Sequence, residues 1–100
     1  MNSDIVSGLN WSKWLDYQKS IITMIPESPG VFKTHLNMKI LYIEGTKDLK
    51  KSVLECLSNP CISKAKRISF ALTPFPDKVK EYLLNEYKIK HNGKLPMCME

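Results

Sequence analysis

One hundred residues, 43% of them hydrophobic and 25% charged, suffice for one small core and leave no room for two. That balance excludes wholesale disorder, and no apolar run is long enough to span a bilayer, so an intracellular, cytoplasmic protein with no membrane association is expected. A net charge of +5 is compatible with a polyanionic partner, but Arg67 is the sole arginine, so bidentate, sequence-specific base reading is not expected.

Residues 1–9 read as a flexible N-terminus and 10–100 as a single domain. From Asn10 to Ile25 the apolar residues Trp11, Trp14, Leu15, Ile21, Ile22 and Ile25 cluster at helical steps. Asn10 or Ser12 is a candidate N-cap, and Pro26 with Ser28-Pro29-Gly30 ends the helix. Its tryptophans are expected to pack on a sheet.

Val31–Leu36 and Lys39–Glu44 read as a β-hairpin turning near Asn37. Thr46 is the expected cap of a helix from Lys47 to Leu57, with Leu49, Val53, Cys56 and Leu57 on one face and Asp48 in the first turn. Ser58-Asn59-Pro60 stops it. Arg67–Thr73 alternates as a third strand, and a last helix runs from Asp77 to His91 with Gly93 as its C′ residue. The expected fold is α+β: a three-stranded antiparallel sheet flanked by helices, with an extra N-terminal helix.

An odd number of cysteines argues against a disulfide framework, and Cys56, Cys61 and Cys98 lack zinc spacing, so free, mostly buried thiols are expected.

Several pieces occur in a telling order: Ile25 to Phe32 leading into a strand, Ile40-Leu41-Tyr42-Ile43, the Thr46-Lys47-Asp48-Leu49 helix start, Phe70 to Thr73, Glu81 with Leu83-Leu84, and the Gly93-Lys94-Leu95-Pro96-Met97-Cys98 tail. Together they resemble the GIY-YIG nuclease superfamily, as a small, degenerate stand-alone member, from Trp11 onward. The resemblance implies metal-assisted hydrolysis of DNA phosphodiesters with magnesium or manganese. A helix carboxylate would hold the cation, strand tyrosines would place the water, and an arginine would stabilise the developing charge. Carried onto this sequence, Tyr42 takes the second motif's tyrosine position, and Glu81 is the implied metal carboxylate with Glu86 as fallback.

Four positions depart from the pattern. Phe32 stands where the first motif has tyrosine, Glu44 where the second has glycine, Ser52 at the arginine position, and Met99 where an asparagine follows Pro-x-Cys. Losing one preorganised donor costs roughly 100- to 1000-fold in rate, so weak or absent cleavage is expected. Lys47, Lys50, Lys51, Lys64, Lys66 and Arg67 are the candidate DNA-binding surface, with a solubilising face as the plain alternative.

Glu81 also reads as an ordinary solvent-facing helix carboxylate, Tyr42 as a packed strand residue, His35 as an exposed turn histidine and His91 as a dipole-favoured C-terminal one. Three functions stay open. The first is an impaired domain binding DNA non-specifically. The second is an active endonuclease with a rearranged site. The third is a protein-interaction or homodimerisation module using Trp11, Trp14, Met97 and Met99.

Overall fold

The computed structural model describes residues 9–99. The expectation of a flexible N-terminus therefore lies outside the described residues, apart from Leu9, which packs beside Val31, Ala71 and Val79. In chain order the elements are β1 (Leu15–Asp16), α1 (Lys19–Ile22), β2 (Gly30–Leu36), β3 (Lys39–Thr46), α2 (Leu49–Cys56), β4 (Arg67–Leu72) and α3 (Pro76–Lys90). Single 3-10 turns cover Ile62–Lys64 and Met97–Met99. The strands form one antiparallel sheet of order β1-β4-β2-β3.

The sheet thus has four strands where three were expected. The fourth comes from the segment whose apolar spacing suggested a helix. Only Lys19–Ile22 is helical there. Upstream, Leu15 pairs with Ile68, the Ser12 amide donates to the Phe70 carbonyl at 2.8 Å and the Tyr17 amide to the Lys66 carbonyl at 3.0 Å. The open edge of β4 outcompetes local helical preference, because pairing satisfies backbone groups on both segments.

Strand alternation divides the core. Phe32 and Ile68 face α2, joining Ile22, Ile25, Leu49 and Val53. Val31 and Ala71 face α3, joining Val79 with Trp11 and Leu83 alongside. Gly30 is a close-approach position: a β-carbon there would strike the Ala71 carbonyl and Leu49, which seats α2 against the sheet. Gly45 does the same for α3, since a β-carbon would strike the Pro76 backbone.

The hairpin turns at Asn37 and Met38, both at positive φ (49° and 69°). A bulge breaks the register between Thr34 and His35, so Thr34 pairs with Tyr42 but His35 with Ile40. Asp48, not Thr46, caps α2, its carboxylate accepting from the Lys51 amide at 3.1 Å, so the helix begins two residues later than expected. Helix α3 begins on Pro76, preset for a first turn, and ends with the Gly93 amide donating to the Lys88 carbonyl at 2.7 Å. The expected free thiols are corrected as well: Cys61 and Cys98 form a disulfide, and only Cys56 is free. No described helix is long and apolar enough to cross a membrane.

Candidate functional site

The motif positions converge on the α2 face of β2 and β3. Phe32, Tyr42, Glu44, Ser52, Glu55, Cys56, Asn59 and Ile62 line a cavity of about 190 Å³. Phe32 lies opposite Glu44 in the register, is fully buried, and its ring centroid sits 6.0 Å from that of Tyr42. It serves the core and offers no polar atom. Ser52 is tied by its hydroxyl to that of Thr46 at 2.5 Å.

Glu44 organises the cavity. Tyr42 donates its hydroxyl to Oε2 at 2.7 Å, and the Gly45 amide donates to Oε1 at 3.0 Å. Lys80, reaching from α3 around the edge strand β3, places Nζ 2.8 Å from Oε1. Both groups of this ion pair are less than one-third exposed, so water screens it only in part.

Burial pushes the Glu44 carboxyl up, but the Lys80 ammonium, the Tyr42 hydroxyl and the Gly45 amide together outweigh it and hold it below the usual range. Tyr42 is shifted well above its ordinary value, by burial first and then by donating to a carboxylate. Burial, with the charges of Glu44 and Glu55, pushes the Cys56 thiol up to about 11, so it is a neutral lining group and not a thiolate.

The other candidates lie elsewhere. Glu81 and Glu86 are exposed on α3 and do not line this cavity. Lys47, Lys50 and Lys51 gather at the start of α2, where Lys50 pairs with Glu27 at 3.7 Å. Lys64, Lys66 and Arg67 lie at the opposite end of the sheet, where Arg67 bonds Asp16 at 2.5 Å and pairs in register with His35. The six basic residues therefore form two groups, separated by roughly 20 Å, the length of a seven-residue strand. His35 is not a freely exposed turn residue: it is half-buried, with its ring 4.7 Å from Trp14.

Lys80 was missed in the sequence because α3 carries many lysines. Its one distinguishing sign is its place beside Val79, the buried residue of that helix.

Neither a known protein family nor a curated protein matches the chain in sequence. Solved structures do match in shape. The GIY-YIG N-terminal endonuclease domain of UvrC from Thermotoga maritima, bound to magnesium as its catalytic divalent cation, superposes with a TM-score of 0.54 at 18% identity, covering 81% of this chain and 98% of that one. A tyrosine-to-phenylalanine mutant of that domain, also bound to its catalytic cation, gives 0.55 at 18% identity over 79% and 90%. A second such mutant gives 0.54 at 19% identity over the same shares.

The fold is GIY-YIG-like.

On this GIY-YIG-like frame the Glu44 carboxylate is not free to take a divalent cation. Magnesium takes one or two carboxylates and completes its shell with water and phosphate oxygens, so a carboxylate must be free to bind it. Here both Glu44 oxygens are engaged, its charge is neutralised by Lys80, and the Tyr42 hydroxyl is spent as a donor. Among the described residues no three His, Cys, Asp or Glu side chains are grouped to hold a metal.

Proposed function

We propose that this chain is a GIY-YIG-like domain that binds DNA non-specifically and has lost phosphodiester hydrolysis. The carrying observation is the Tyr42–Glu44–Lys80 arrangement. An ammonium neutralises the carboxylate, and the tyrosine hydroxyl that could act on water is bonded to that same carboxylate. The missing Phe32 hydroxyl does not decide the matter alone, since tyrosine-to-phenylalanine mutants of the T. maritima domain keep their cation. What adds to it is Ser52, which carries no charge to set against a pentavalent phosphorus.

Binding draws on Lys47, Lys50 and Lys51 at the start of α2. Three lysine–phosphate contacts imply a slope of about −3 in log K against log salt on duplex DNA. Lys51→Glu, an exposed change, should reduce that slope by about one. The test pairs a duplex titration at several salt concentrations with a nicking assay in magnesium and in manganese. Salt-dependent binding without nicking is the expected result. Nicking that disappears in Glu81→Ala would establish the rearranged nuclease instead.

A further inference from the structure

The α3 face of the sheet carries a larger opening than the Tyr42 cavity, and none of Tyr42, Ser52 and Glu81 lines it. A groove of about 490 Å³ runs between the hairpin end of the sheet, the C-terminal part of α3 and the chain that follows. Two aromatic pairs form its walls. On one side Trp14 lies against His35, with centroids 4.7 Å apart. On the other Tyr87 stacks on His91 at 3.8 Å and an interplanar angle of 12°. The His91 ring is held by its Nδ1, which donates to the Tyr87 carbonyl at 2.8 Å.

The bulge makes this wall. Strict alternation would turn Ile40 to the same face as Tyr42, but the register break pairs it with His35 and places it in the groove. Met38, 89% exposed and in the left-handed region, also lines it, with Met97 from the tail. A large apolar side chain at positive φ in open solvent stabilises nothing in the fold, which is the pattern of strain held at a binding surface.

The charges complete the description. Lys39 and Lys94 line the groove, and among the described residues no carboxylate does. An adjoining cavity, sharing Ile40, Tyr87 and His91, adds Lys33, Lys90 and a single acid, Glu86. Lys33 Nζ lies 4.2 Å from the Trp11 ring centroid and 5.4 Å from that of Trp14, a cation–π contact between the two indoles.

We infer that this groove binds single-stranded nucleic acid, with bases stacking on the Trp14–His35 and Tyr87–His91 walls and phosphates meeting Lys39 and Lys94. Aromatic walls with a cationic rim and, among the described residues, no acid in the lining suit an unpaired strand, since every base offers a π-face and every nucleotide a negative charge. A duplex hides its bases and cannot use these walls. This reading does not rest on duplex binding at α2, which lies on the opposite face of the sheet.

The test uses fluorescently labelled oligo(dT) of eight nucleotides, with chelator present and near-physiological salt. Trp14→Ala and Tyr87→Ala are each expected to weaken binding about ten-fold or more, the loss of one stacking wall. Lys94→Glu, exposed and outside the core, should weaken it several-fold, whereas Lys78→Glu, exposed in the first turn of α3, should leave it unchanged. Lys94→Glu keeps the test decisive if an aromatic variant fails to fold. Absent binding, or variants indistinguishable from the parent, would overturn the inference. So would thymidine monophosphate competing as well as the oligomer, which would make the groove a nucleotide site, or a duplex displacing the oligomer equally well.

Discussion

Glu44 sits where the resemblance calls for glycine, and the fold answers it with three donors. Its carboxyl is depressed in the folded state relative to the unfolded chain. The sign follows: the stabilisation is present above the unfolded value and is lost as pH falls through the lower, folded one. Glu44→Gln should therefore flatten the acid limb of a stability–pH curve, as measured by denaturant melts across acidic pH. Thr34 carries the opposite problem. It is fully buried between Tyr42 and Ile68 in the register, and its hydroxyl has no partner among the described residues. Thr34→Val replaces an unpaired hydroxyl by a methyl of the same shape and should raise stability by about 1 kcal/mol in urea denaturation. At the turn, Met38→Gly would give the Asn-Gly pair that positive φ favours at both positions. It should add about 1 kcal/mol to stability while weakening oligo(dT) binding. A gain in both would separate Met38 from the groove.

At the scale of elements, two connections hold the edges of this small sheet. The Cys61–Cys98 bond joins the turn after α2 to the C-terminal tail across 37 positions. By loop-closure entropy, its reduction should cost about 3–4 kcal/mol, visible as a lower Tm in reductant that Cys98→Ser reproduces. This bond also removes the free-thiol argument for an intracellular location. The β1 segment covers the β4 edge through Ser12, which accepts from the Phe70 amide at 3.0 Å, while Ser69 donates to the Ser12 carbonyl at 2.7 Å. The hairpin, α2, β4 and α3 were legible because their periodicity, caps and breakers agree with their packing. The N-terminal segment was not, because Trp11, Trp14 and Leu15 satisfy a helical spacing while the deciding factor, an unpaired edge made by residues 67–72, is remote in sequence. The disulfide was illegible for the same reason: with three cysteines, pairing depends on which two the fold brings together.

For the whole molecule, topology and motif positions identify a GIY-YIG-like frame, and the departures at Phe32, Glu44 and Ser52 were visible in the sequence. How the frame accommodates Glu44 was not, since Lys80 becomes its partner only after α3 folds back along β3. The central claim is that an internal ammonium stands against the Glu44 carboxylate and takes the place a divalent cation would need there. The most direct test is an NMR titration of the labelled protein with manganese, whose paramagnetism broadens nearby amides. The account predicts no selective broadening at Tyr42, Glu44, Gly45 and Lys80 at millimolar metal. Selective broadening of those residues, reversed by chelator, would contradict it and return the site to metal-dependent chemistry.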